Sequence, residues 1–215
     1  MSWLQRRPQV SNPTNFVSVG LNKTILIVGL GNPGVEYQSN RHNVGFGCLD
    51  NLVNALDEFG NWVAKKNLKC IESSAQLGDK RVLAIKPTTF MNNSGEAVSL
   101  VANFYKVDPS SIIVVHDELD IDFGQIRTRV GGASAGHNGI KSITSSLGNE
   151  KYGRVRIGVG PKKPAQIDSK DFVLQDFANA EKEQLPPLHK EVNAILTEYI
   201  YGSSELRAET RSFII

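Results

Sequence analysis

Disulfides cannot organise this chain, because its 215 residues include only two cysteines, Cys48 and Cys70. A cross-linked secreted scaffold is excluded, and a reducing compartment is favoured. No apolar run approaches the roughly 20 residues needed to cross a bilayer, so no membrane association is expected. The amino-terminal stretch lacks the apolar core of a secretory signal and also lacks acid: Glu36 is the first acidic residue. Residues 1–23 carry Arg6, Arg7 and Lys23 among Ser, Asn, Gln and Pro without periodicity. They read as a basic extension, compatible with organelle import and equally with a plain disordered leader, so mitochondrial and cytoplasmic locations both stay open. With 40% hydrophobic and 21% charged residues overall, the chain is long and apolar enough to bury a core without metal or disulfide support.

From Thr24 onward, strand-like and helix-like patterns alternate. Residues 24–28 (TILIV) form the short β-branched run of a buried parallel strand. Gly45, Leu49, Leu52, Val53 and Leu56 recur at helical spacing. Residues 69–86 predict a hairpin turned at Gly78–Asp79. Beyond Asn93 a helix carries Val98, Val101, Ala102 and Tyr105 on one face, with Asn93 and Glu96 at capping-box spacing. Residues 112–115, 125–130, 155–159 and 172–174 predict further strands. A helix is expected over 138–147 and another over 181–201, interrupted near Pro186 and Pro187. This order implies an α/β fold, a single three-layer α/β/α domain around a twisted mixed sheet. The domain is expected over 24–205, with 206–215 as a carboxyl-terminal tail.

The string GLGNPG at 29–34 matches a dinucleotide-binding fingerprint and follows a strand. That fingerprint needs a helix opening directly on the glycines and an acid at the end of a second strand. Here Pro33 and a polar stretch intervene, and Asp50 falls inside the helical stripe, so nucleotide binding is disfavoured. What is left is a loop at a strand's carboxyl end, where open α/β sheets place ligands. It carries Asn32, Tyr37, Arg41, His42 and Asn43.

Other strand ends carry comparable clusters: Phe90-Met91-Asn92, His116-Asp117-Glu118, and Gly136-His137-Asn138-Gly139. The strings VGLGNPGVEY, RHNVGF, KPTTFMNNSGEAV, VVHDELD, GG…GHNGIKSI and RVRIGVG follow one another in an order and spacing that resemble bacterial-type peptidyl-tRNA hydrolases. The likeness runs from about Thr24 to at least Gly160, more weakly through the last helix.

The resemblance implies hydrolysis of the ester joining a peptide to the 3′ ribose of tRNA, by a monomer that needs neither cofactor nor metal. It identifies His42 as the base and Asp117 as the carboxylate orienting its imidazole. Asn32, Asn92 and Asn138 match amides that hold the reacting water and the peptide and terminal-adenosine groups. Tyr37, Phe90 and Met91 match positions lining the crevice. Arg129 and Arg156 match the pair that grips the tRNA 5′ phosphate, with Arg129 standing where Lys is frequent; Arg grips phosphate bidentately, which should preserve the role. His116 is expected to pack beside the site, and His137 to shape the loop or touch substrate. His189 is expected to face solvent, and both cysteines to be core residues. Asn40 stands where the family usually has Thr or Ser. Ala133 and Ala135 stand where glycines are usual, and alanine resists positive φ. A binding homologue that has lost hydrolysis is the alternative from another class.

The chemistry suits these residue types. An activated ester needs no covalent nucleophile, and a neutral imidazole can take a proton from water at cellular pH. Between Phe123 and Lys163 lie eight basic residues and one acid, Glu150, in a chain whose net charge is +2. Arg127 with Arg129, and Arg154 with Arg156, repeat at strand spacing, so each pair shares a face. Such a patch predicts a polyanionic partner, read through its backbone and acceptor stem.

Overall fold

The computed structural model describes residues 23–162 and 164–214. The expected leader, apart from Lys23, and the basic residue Lys163 lie outside them. Eight strands form one mixed sheet: β1 (Lys23–Gly29), β2 (Val63–Lys65), β3 (Cys70–Leu77), β4 (Lys80–Pro87), β5 (Ile112–Asp122), β6 (Gln125–Val130), β7 (Gly153–Gly160) and β8 (Glu209–Ser212). Their order across the sheet is β2-β3-β4-β1-β5-β7-β6-β8. The central four strands run parallel, and the outer ones pair antiparallel.

Alternation of side chains divides the core into two layers. Ile25, Ile27, Ile113, Val115, Val155 and Ile157 face one side, under α1 (Val44–Ala55) and α6 (Leu185–Tyr201). Leu26, Val28, Leu83, Ile85, Ile112 and Val114 face the other, under α2 (Ser94–Tyr105) and α3 (Asn138–Leu147). Fully buried Leu49 and Leu52 anchor α1, each worth about 1.5–3 kcal/mol of apolar transfer. The three-layer α/β/α expectation holds.

Gly29 and Gly45 explain the misleading fingerprint. A Cβ on Gly29 would strike the carbonyl of Gly45, and one on Gly45 would strike the backbone of Leu30 and Val115. These glycines let α1 press against the ends of β1 and β5. That contact carries the residues just before α1 onto the sheet's carboxyl edge.

Four local expectations are corrected. Residues 172–174 are not a strand: α4 (Ser169–Val173) is a helix, capped by Asp168 accepting from the Lys170 amide. An apolar triplet has no readable period, whereas the Asp cap was the available signal. The last helix breaks at Glu183–Gln184, between α5 (Asn179–Lys182) and α6; the prolines lie in the first turn of α6, where a missing N–H does no harm. Asn93 makes no side-chain cap, and Glu96 pairs instead with Lys69. Residues 206–215 are not a free tail. Within them β8 pairs with β6, and Phe213 is buried edge-on against Phe123. Among the described residues, no helix is long and apolar enough to cross a membrane.

Candidate active site

Strand lengths place the site. Gly29 is the last residue of β1 and pairs with Val115; the amide of Leu30 then donates to the Val115 carbonyl. Beyond that point β5 continues past its neighbour, held only by β7 through His116–Arg156 and Asp117–Ile157. Asp117 therefore stands at an open strand edge, facing the turn of residues 41–43 that leads into α1.

His42 fills that edge. Its Nδ1 lies 2.9 and 3.0 Å from the two oxygens of Asp117. From the other side His137 places Nε2 3.0 Å from Asp117 Oδ1. The Nδ1 of His137 accepts from the amides of Gly139 and Ile140, capping α3. That cap puts the neutral ring's proton on Nε2, so His137 donates to Asp117. Asp117 also receives the His42 Nδ1–H, leaving His42 Nε2 unprotonated on the cavity side.

Electrostatics agree with this assignment. Burial alone would raise the Asp117 pKa, but His42 and His137 outweigh it and hold the carboxyl well below its usual range. Burial is also the largest influence on His42, disfavouring its charged form; the charge and hydrogen bond of Asp117 together overcome it and raise the imidazole. His116 behaves differently. It is buried, donates through Nδ1 to the Asp117 carbonyl at 2.7 Å, and packs its ring edge-on against His137. Burial above all pushes it well below the ordinary value. It is a neutral support beside the site, as its sequence context suggested.

Asn32 is held with its donors inward. Asn43 Oδ1 accepts from the Asn32 amide, and Asn43 Nδ2 donates to the Asn32 carbonyl, both at 2.9 Å. The Asn32 side-chain oxygen accepts from the Met91 amide at 2.8 Å, which turns its NH₂ toward the cavity. The cavity has a volume of about 1040 Å³ and runs past His42, Asn32, Asn92 and Asn138 to a far wall that includes Pro161, Lys162, Lys170 and Leu174. Tyr37 and Phe90 meet edge-to-face at 6.4 Å on its rim, with Met91 buried behind them. Every residue singled out for the crevice converges here.

Several residues that the sequence placed in these clusters had no role assigned by it. Asn43 locks Asn32, and Arg41 fixes the turn carrying His42. The Arg41 guanidinium stacks 4.4 Å over Phe172, donates to the Asp176 carbonyl and pairs with Glu181 at 2.6 Å. Their position beside His42 was the only available signal. Glu118, buried in the cavity wall, is raised mainly by that burial. His189, expected in solvent, is half-buried with its ring near Gly47, and burial lowers it. Burial likewise pushes the Cys48 thiol up, as befits a core residue. Asn40 is buried and bridges to Asp176. Ala135 takes φ of 47° despite its side chain.

His42, Asp117 and His137 are the one group of metal-capable side chains among the described residues, with ligand atoms within 4.8 Å of one another. Their protons make a poor fit to a metal. Ligation through His137 Nε2 would put its proton on Nδ1, directly against the two amides that cap α3. The donor set fits a hydrogen-bond relay.

The arginines lie on the sheet face opposite Ile126, Val155 and Ile157, with Arg154 buried and the other three partly exposed. Arg127 pairs directly with Arg156, and Arg129 with Arg154, so all four share a face. His116 stands opposite Arg156 on the next strand, joining this face to the site.

Comparison with known proteins places this geometry. The peptidyl-tRNA hydrolase family model matches residues 26–212. A peptidyl-tRNA hydrolase of Arthrobacter sp. (strain FB24) is 45% identical over 167 residues, which is 77% of this chain and 84% of that protein. One from Frankia alni is 47% identical over 163 residues, 76% of this chain and 81% of the relative. The crystal structure of peptidyl-tRNA hydrolase from Acinetobacter baumannii superposes with a TM-score of 0.70 at 29% identity, covering 84% of this chain and 92% of that one. With its sequence motifs, sheet order and matched span in agreement, the chain belongs to the peptidyl-tRNA hydrolase family.

Proposed function

We infer that the protein hydrolyses peptidyl-tRNA at the ester between the peptide and the 3′ ribose, releasing tRNA and a free peptide carboxylate. The observation carrying the mechanism is the His42–Asp117 pair, with its unprotonated nitrogen turned to a cavity ringed by asparagine amides.

In this mechanism His42 Nε2 removes a proton from water as its oxygen attacks the ester carbonyl. Asp117 holds the tautomer and stabilises the imidazolium that forms. The amide of Asn32 donates to the developing oxyanion, with Asn92 and Asn138 holding the peptide and terminal adenosine; one such donor is typically worth about 10²–10³ in rate. Collapse of the tetrahedral intermediate expels the ribose 3′ oxygen, which recovers the proton from His42. Tyr37, Phe90 and Met91 offer an apolar wall to the substrate.

Arg127, Arg129 and Arg156 supply the phosphate grip for the acceptor-stem end of tRNA. Action as a monomer is the expectation that the family resemblance carries. For the acid-free leader both readings stand, an import signal or a plain extension: if it directs import, deleting residues 1–23 should abolish mitochondrial accumulation, and an unchanged distribution would count against import. No observation favours the binding-only alternative. Turnover of an N-acetyl-aminoacyl-tRNA tests the function directly, and absence of peptide-ester cleavage would refute it.

A further inference from the structure

Among the described residues Arg154 is the largest fully buried side chain, and it has no acidic partner in their ion pairs. It donates through Nη1 to the Ala133 carbonyl at 2.8 Å and stacks 5.0 Å from the Tyr152 ring. Its Nε and Nη2 are buried without a partner among the described residues. A guanidinium left this incompletely satisfied is costly to bury, so its retention calls for a reason beyond packing.

Its neighbours supply one. Arg129 faces Arg154 across the β6–β7 ladder, donates through Nε to the Gly131 carbonyl at 2.8 Å, and lies over Gly132, where any Cβ would collide with the guanidinium. Two adjacent arginines thus hold the carbonyls of Gly131 and Ala133 in one short loop, Gly131–Gly136. Gly132, Ala135 and Gly136 all take positive φ there, at 92°, 47° and 85°. The loop ends at His137, which caps α3 and donates to Asp117. Hydrogen bonds at Gly131, Ala133 and His137, joined by the backbone of this loop, link the arginine face to the catalytic carboxylate.

We propose that Arg154 is a positioning residue that couples occupancy of the phosphate grip at Arg129 and Arg156 to the placement of His137 and Asp117. The proposal rests on the phosphate-grip reading above. Arg154 is too buried to touch phosphate. A dianion held by its neighbours relieves the repulsion among four guanidinium groups on one face and favours the Arg154–Ala133 bond, setting the loop that carries His137. Binding energy gained at the remote phosphate is then expressed in the chemical step as well as in affinity.

Steady-state kinetics on N-acetyl-aminoacyl-tRNA with and without its 5′ phosphate test this. In the unsubstituted protein, removing the phosphate should raise KM and also lower kcat about five- to twenty-fold, the span of moderate site coupling. Arg154→Lys keeps the charge but loses the planar fork. It should keep the KM effect while kcat becomes indifferent to the phosphate. Ala135→Gly loosens the same loop on an exposed segment without touching the buried guanidinium, and should shrink the kcat effect in the same way, which covers failure of the lysine variant to fold. A kcat response equal to the unsubstituted protein's in a folded Arg154→Lys, or in Ala135→Gly if the lysine variant does not fold, would overturn the coupling alone. A 5′ phosphate with no effect on KM in the unsubstituted protein would overturn the grip and the coupling together.

Discussion

His42 and His137 reach the same oxygen of Asp117 from opposite faces of the sheet, at 2.9 and 3.0 Å. One ring leads into α1 and the other caps α3, so the helices on both sides of the sheet meet at one carboxylate. Two donors saturate that side of Asp117, and only His42 keeps a free nitrogen toward the cavity. The division of labour between the histidines follows: His42 exchanges protons, and His137 holds the group that orients it.

Replacing His42 with Ala should lower kcat by about 10²–10⁴, the usual contribution of a positioned base. Binding of tRNA should persist, because the arginine face is untouched. Single-turnover release and a binding titration measure the two effects; near-normal turnover would sink the mechanism.

Asp117→Asn should change the pH profile as well as its height. His42 works as a base when neutral, so activity rises as pH passes upward through its pKa, which Asp117 holds above the ordinary value. Without that charge, burial dominates and the pKa falls. The acidic limb of kcat/KM should therefore move to lower pH while the plateau drops. A limb that stays in place would refute Asp117 as the source of the shift.

Arg129→Ala and Arg156→Ala should each weaken tRNA binding across sequences and reduce the slope of log affinity against log salt by about 1. Unchanged affinity at low salt in either variant would exclude that arginine from phosphate contact.

Asn43→Ala strands the buried amide and carbonyl of Asn32, at a cost of about 1–3 kcal/mol per unsatisfied group. A lowered urea midpoint should accompany a fall in kcat larger than any change in KM. Full kcat in the folded variant would show that Asn32 does not depend on this brace.

Phe213→Ala should destabilise the fold by about 3 kcal/mol, since the ring is buried against Phe123 where a tail had been expected. Thermal melting reads this directly, and an unaltered midpoint would return residues 206–215 to the status of a tail.

Strong local patterns carried much of the architecture. The TILIV run, the Gly78–Asp79 turn and the stripe from Gly45 to Leu56 each allowed one regular structure, and β1, the β3–β4 hairpin and α1 formed there. Weak patterns failed where tertiary partners decided. The triplet at 172–174 is apolar because Phe172 lies under Arg41, and β8 has no apolar alternation because β6 offers it an open edge. The identity of the chemistry was written in residue types, a histidine, a carboxylate and three asparagines in recognisable strings.

Their convergence was another matter. His42 and Asp117 are 75 residues apart and meet because β5 outruns β1 beyond the Gly29–Val115 pair. The proton on His137, the inward turn of the Asn32 amide, and the alignment of four arginines depend likewise on register and on helix ends. Local sequence sets the period of a segment and the groups it can offer. Which of those groups touch is set by strand order and relative strand length, and these come from burial of the whole core.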